Sequence, residues 1–375
     1  MSTRLPLLLA VPLLALACQE HEFQTLEPVT FRQVSTFKKV VAKQFKPNIM
    51  LAVDRSQSMS FPIAAGGESR WFHLKAAMTE YLSTHGTVAR MGLMTFPVDD
   101  ACGPGAVTVP MFETNDNPVE LQKHADEINA KLQATQPGGV TPTMESLRAL
   151  ANYAPMLGGR ESIVVLATDG LPNCNPGNPN SYDVNPAACD CTFASNMCGG
   201  QYNRLSCLDR SGTVAVVKEL LAKGIKTAVV AFGEDTLFGV GPQVMNAIAS
   251  EGGAPRTCPH GNNAECGANN VCDKATKVCE MRFYAASNSR ELADALATIG
   301  YDLSKGDACE QTLEVVPADE RYLTVLLNDQ PLPPGPDTWT YAAGTVTFHS
   351  IHCQKLGSST PDDPVRLEFR TVEVL

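Results

Sequence analysis

Apolar residues fall along this chain in two rhythms. Short unbroken apolar runs occupy residues 48–53, 91–96, 162–167, 226–232 and 282–286, with a shorter edge-type run at 107–112. Between them lie stretches with apolar residues at helical spacing: 72–82, 119–132, 143–154, 211–222, 242–250 and 289–303. A continuous apolar run bounded by polar turns predicts a strand buried on both faces, and alternation with amphipathic helices predicts a mostly parallel sheet. The expected fold is therefore α/β, a doubly wound sheet that binds ligands beyond the carboxyl ends of its strands, where the strand order reverses. After residue 305 the rhythm changes. Extended patterns at 311–316, 322–328, 338–341, 345–349 and 365–372, broken by the proline-rich 331–336, predict a smaller all-β unit. Residues 30–41 are also extended, and are expected to join the tail strands because the two ends of an α/β domain commonly emerge near each other.

The first 18 residues, MSTRLPLLLAVPLLALAC, follow the layout of a secretory signal: one early cation at Arg4, an apolar stretch over 5–17, and small residues before Cys18. The apolar run is too short to span a bilayer as a mature helix. Ala15-Leu16-Ala17-Cys18 resembles a bacterial lipobox, in which Cys18 becomes the lipidated first residue, although Ala15 stands where leucine is usual. A plain signal-peptidase site is the alternative. Gln19 in place of aspartate favours an outer-membrane location, with the lipid anchor as the only membrane contact.

The remaining cysteines carry the same message. Removing Cys18 from the 13 leaves 12, an even number suited to disulfides in an oxidising compartment. Cys174, Cys189, Cys191, Cys198 and Cys207 crowd one window, Cys258, Cys266, Cys272 and Cys279 another, and Cys102, Cys309 and Cys353 stand apart. Zinc is the competing use of such clusters, but paired C-x2-C knuckles are missing. Four cysteines allow three connectivities; Cys258 with Cys272 and Cys266 with Cys279 is slightly favoured, and Cys309 and Cys353 are candidates to pair within the tail. The net charge of −11, without any basic cluster, argues against nucleic acid and anionic membrane surfaces as partners.

Two strand ends carry unusual chemistry. The first buried run is followed by Asp54-Arg55-Ser56-Gln57-Ser58, and the most hydrophobic run by Thr168-Asp169-Gly170. Between them a glycine turn, Gly138-Gly139-Val140-Thr141-Pro142-Thr143, presents hydroxyls as a helix begins. Two carboxylates with several hydroxyls, and no His or Cys, form a hard oxygen set suited to Mg²⁺ or Mn²⁺. The bland reading is that Ser and Thr cap helices and Asp starts turns.

In kind, order and placement the three pieces resemble the metal-ion-dependent adhesion site of von Willebrand factor A domains. The resemblance implies that Ser56, Ser58 and Thr141 contact the metal directly and that Asp54 and Asp169 act partly through waters. Thr143 is an understudy for Thr141, and Met144 stands where many relatives have glycine. An ion of this kind wants about six oxygens, so three neutral hydroxyls leave it electrophilic, with a position open to a carboxylate from a protein or surface partner. No G-x-S-x-G, HExxH, P-loop or ordered Ser/His/Asp set is found, so the chain reads as a binder and not an enzyme. The seven histidines are dispersed; His349 and His352 flank a strand-like segment and read as structural.

The whole outline is similar to exported von Willebrand A lipoproteins of bacteria, among them gliding-motility adhesin lipoproteins of myxobacteria. The expected organisation is a signal peptide at 1–17, a β-rich leader at 18–46, the metal-site domain at 47–305 with Cys-rich inserts at 171–207 and 257–280, and the β unit at 306–375. The resemblance implies an adhesin binding a partner or substratum through Mg²⁺ or Mn²⁺. A periplasmic or outer-membrane scaffold using the same site on an internal partner is the alternative. The insert at 171–207 starts at the metal crevice and is expected to form part of the partner surface.

Overall fold

A computed structural model describes residues 31–40 and 46–374, apart from 64–65, 100–101, 159, 193–197, 200–204, 260, 305–308, 314, 318, 343 and 358–364. The signal segment and Cys18 lie outside the described residues. Along the chain the elements are β1 (Phe31–Val40), β2 (Asn48–Asp54), α1 (Arg70–His85), β3 (Arg90–Phe96), β4 (Ala106–Val109), α2 (Pro118–Ala134), α3 (Thr143–Leu150), β5 (Ser162–Thr168), α4 (Arg210–Ala222), β6 (Ile225–Phe232), α5 (Glu234–Leu237) and α6 (Gly241–Glu251). They continue with β7 (Cys272–Asp273), β8 (Val278–Cys279), β9 (Tyr284–Ala286), α7 (Ser289–Ser304), β10 (Glu310–Thr312), β11 (Thr324–Leu327), β12 (Gln330–Leu332), β13 (Trp339–Ala342), β14 (Thr345–Phe348), α8 (Ser350–Gly357) and β15 (Val365–Val374).

Six strands form the main sheet in the order β4-β3-β2-β5-β6-β9, parallel except for β4 at the edge. The chain moves one way from β2 to β3 and β4, then returns to the other side of β2 for β5, β6 and β9. The order therefore reverses between β2 and β5, the position where open α/β sheets place a ligand crevice beyond the carboxyl ends of the strands. Both strands are buried along their whole length, which is why they read as unbroken apolar runs. Alternate residues serve opposite faces. Ile49, Leu51 and Val53 pack with α1, α2 and α7, while Met50 and Ala52 pack with α3, α4 and α6. Met144, at the entry to α3, is buried in the second of these cores.

The leader and the tail do share a sheet. β1 pairs antiparallel with β15 over ten residues, in a four-stranded sheet ordered β1-β15-β11-β12, and β10-β14-β13 form a second small sheet. The tail is not all-β, however: α8 covers Ser350–Gly357 and brings Cys353 to Cys309. Twelve cysteines form six disulfides, Cys102–Cys174, Cys189–Cys207, Cys191–Cys198, Cys258–Cys272, Cys266–Cys279 and Cys309–Cys353. The segment around β7 and β8 has only its four half-cystines as a buried cluster, so sulfur replaces a hydrophobic core there. The cysteines whose sulfurs crowd together, Cys189, Cys198 and Cys207 in one group and Cys258, Cys266 and Cys272 in another, are all in disulfides and offer no thiolate to a metal. No described helix is long and apolar enough to cross a membrane.

Candidate metal centre

The residues singled out at the strand ends converge at the reversal of strand order. Asp54 ends β2 with its side chain fully buried, and its two oxygens are already engaged: Oδ1 accepts the backbone N–H of Ser56 at 2.8 Å and Oδ2 the hydroxyl of Thr168 at 2.6 Å. That local loop turns the chain sharply, and the single helical turn at Gln57–Ser60 follows. Ser56 and Ser58 then stand side by side with hydroxyls 2.9 Å apart, and Ser58 donates to Asp169 Oδ1 at 3.0 Å. Because Ser58 gives its one proton to Asp169, Ser56 is the donor of the pair, and a short relay runs from Ser56 through Ser58 to the carboxylate.

The glycine turn is sewn to the same place by its backbone. Gly138 donates to the Arg55 carbonyl at 2.7 Å, and the Gln57 N–H reaches the Gly139 carbonyl at 2.9 Å. Gly139 sits at φ 84°, the left-handed region where glycine carries no Cβ penalty. Thr141 is fixed by Asn173, whose side-chain oxygen accepts the Thr141 N–H at 2.9 Å and whose own backbone N–H returns to the Thr141 carbonyl at 3.0 Å. Thr143 is buried with its hydroxyl toward the Thr141 carbonyl, 3.4 Å away, so Thr141 and not its understudy is the residue that faces the crevice.

Gly170 supplies the space between these groups. A methyl built on it would lie 3.3 Å from the Thr141 hydroxyl and 3.6 Å from the Ser58 hydroxyl, so both oxygens look onto one small volume that the missing side chain leaves free. The donor set around it is entirely oxygen, two carboxylates and three hydroxyls. These residues fit a hard dication.

Nothing in the sequence pattern points to Arg70. It is the first residue of α1, nearly buried, and its guanidinium reaches Asp169 Oδ2 at 2.7 Å and the exposed Asp235 of α5 at 3.4 Å. Thr168, which holds Asp54, stands in the strand-end pattern only as the neighbour of Asp169, and Asn173, which holds Thr141 from three residues beyond Gly170, belongs to no pattern. Both aspartate side chains are fully buried, and Ser58 alone of Asp54, Ser56, Ser58 and Asp169 is part-exposed. Burial has an electrostatic consequence. It pushes the Asp54 carboxyl up, with its hydrogen bonds from Thr168 and Ser56 pulling back. Burial and the neighbouring Asp54 push Asp169 up to about 8, against the pull of Arg70 and Ser58.

The rim is built by loops leaving the same sheet end. Cys102–Cys174 ties the loop after β3 to the insert after β5. Phe61, just past the serine turn, is 52% exposed, and Phe238, just past α5, is 69% exposed. His349 lies elsewhere, meeting the Thr340 hydroxyl at 2.8 Å in the tail.

No family model and no curated protein matches the sequence. Among solved structures the chain is similar to the pilus adhesin SpaC from Lactobacillus rhamnosus GG, at 16% identity and a TM-score of 0.47, over 92% of this chain and 42% of that one. It is similar to the PilB minor pilin from Streptococcus sanguinis at 19% identity and a TM-score of 0.43, over 69% and 61% of the two chains. A manganese-loaded TRAP protein from Plasmodium vivax matches at 15% identity and a TM-score of 0.34, over 59% and 67%. The chain thus spans less than two thirds of the length of SpaC and of PilB. Likenesses of this size carry no functional weight; the geometry of the site does.

Proposed function

We propose that this chain is an exported adhesion protein of the von Willebrand A type, its main sheet doubly wound, and that it grips a carboxylate of a protein or surface partner through one Mg²⁺ or Mn²⁺. Ser56, Ser58 and Thr141 would hold the ion directly, with Asp54 and Asp169 behind them. The observation that carries this reading is the meeting of three segments, 54–58, 138–141 and 168–170, in one oxygen-lined space that Gly170 keeps open. When bound, the ion supplies a Lewis-acidic position for a carboxylate. The protein's own part is to fix five oxygens in place before the ion arrives, so that little ordering cost opposes binding.

Nothing in this arrangement activates a nucleophile. The hydroxyl relay ends on a carboxylate already paired with Arg70, and among the described residues no other base is hydrogen-bonded to the serine hydroxyls. Binding, not turnover, is the function proposed. Six disulfides support export to an oxidising compartment, and Cys18 is the proposed lipidation site. An ion attracts any carboxylate, so selectivity is assigned to the rim: the insert at 171–207 with Phe61 and Phe238.

The test has two parts on intact cells. Surface labelling separates an outward-facing adhesin from an internal scaffold. Attachment of cells carrying the protein, measured in Mg²⁺ and in chelator, is expected to require the ion and to be lost in Ser58→Ala. Attachment indifferent to both would sink the proposal.

A further inference from the structure

Arg70 is a buried charged group at the site that a metal does not need. Its side chain is only 7% exposed and its Nε has no hydrogen-bond partner among the described residues, an expensive arrangement for a guanidinium. Space has been made for it: Gly233, at φ 97°, leaves open the position where a Cβ would approach the Arg70 Cζ to 2.8 Å. Its helix is capped independently by Ser69, whose hydroxyl oxygen accepts the Phe72 N–H at 3.1 Å, so Arg70 is not required to start α1. What it contacts instead is the carboxylate behind the serines, at 2.7 Å, and Asp235 on the far side.

We infer that Arg70 is a positioning residue that shifts affinity from the ion to the partner, so that metal and carboxylate bind cooperatively. This rests on the metal-site reading above. Counting Asp54 and Asp169 as ionised, as a bound ion requires, and setting aside Asp235, whose exposed charge water largely screens, Arg70 leaves the site at −1; a dication takes it to +1, and a partner carboxylate returns it to zero. Without Arg70 the dication alone is balanced by the two aspartates, and a carboxylate would leave the buried site at −1. In surroundings where charges are poorly screened, the arginine therefore weakens the lone ion and strengthens the third component. It also occupies Asp169 Oδ2, which leaves only Oδ1 turned to Ser58. Linkage makes the coupling reciprocal: whatever favours the carboxylate on the ion favours the ion on the protein.

The experiment titrates the full chain with Mn²⁺ alone, followed by electron paramagnetic resonance, then repeats the titration in acetate at ionic strength matched with chloride. Acetate is expected to tighten Mn²⁺ binding in the wild type. In Arg70→Gln, Mn²⁺ alone should bind at least about tenfold tighter, and the acetate effect should disappear; Arg70→Lys should keep the wild-type pattern. A folded Arg70→Gln that binds Mn²⁺ no tighter, or that keeps the acetate effect, overturns the inference. Should that variant not fold, Asp235→Asn decides. Its exposed side chain is dispensable to the core, and loss of its charge should weaken Mn²⁺ alone about two- to threefold; unchanged affinity overturns the inference. A wild type that binds no Mn²⁺ at all instead defeats the underlying metal-site reading.

Discussion

Asp169 and Asp54 are two buried carboxylates whose charges repel, held together by one arginine and a set of hydroxyls. Asp169 is pushed up to about 8, above an unfolded value near 4. A group raised on folding contributes stability that is present below its unfolded value and lost as pH rises through its folded one. In chelator, the wild type should therefore lose melting temperature between about pH 4 and pH 8 by a slope that Asp169→Asn lacks; parallel curves for the two proteins would remove the electrostatic picture. A bound dication reverses the sense, since it competes with the proton, and its affinity should rise over the same range. Gly170→Ala tests the space rather than the charge. Its backbone needs no left-handed angle, and the added methyl meets the Thr141 and Ser58 oxygens at 3.3 and 3.6 Å, so Mn²⁺ affinity should fall about tenfold or more with melting temperature nearly unchanged. At this scale the sequence reveals donor atoms but not their supports. The pattern of Asp54, Ser56 and Ser58 is local and visible, whereas Arg70 and Asn173 join the site through contacts across 99 and 32 residues.

The central elements are legible because burial on both faces leaves little freedom of composition. β2, β3 and β5 are buried throughout, and the apolar runs locate each to within one residue at either end. Where burial is partial the pattern fades. β12 is short, largely exposed and contains Pro331, and in sequence it reads as a break between strands. α8 has eight residues, too few for a helical rhythm to declare itself within a tail of extended patterns. Met144 illustrates how an element fixes a residue. On α3 its side chain is packed at 2% exposure among Met50, Leu147 and Leu166, so Met144→Ala should cost about 2–5 kcal/mol by denaturant unfolding while leaving every candidate metal ligand in place. A cost below about 0.5 kcal/mol would mean that α3 is not held by this contact.

Over the whole molecule the cysteines divide the labour of stability. The main sheet has two apolar cores, whereas the segment around Cys258–Cys279 has a buried cluster of sulfur alone. Thiol titration of denatured, unreduced protein should accordingly find none of the twelve described cysteines free, and stoichiometric zinc would contradict the pairing. Replacing Cys266 and Cys279 by serine should release that segment to proteolysis and leave the main sheet's cooperative transition largely intact. The antiparallel pairing of β1 with β15 closes the leader onto the tail, so the elements of the main sheet lie in sequence between two paired strands. The most direct test of a metal site at the end of β2 is Mn²⁺ stoichiometry. Wild-type protein, titrated near pH 8 and followed by electron paramagnetic resonance, should bind one ion per chain, and Ser56→Ala/Ser58→Ala should bind none with its melting temperature preserved. Equal binding by the two proteins, or no binding by either, would contradict a metal-bridged adhesion site there.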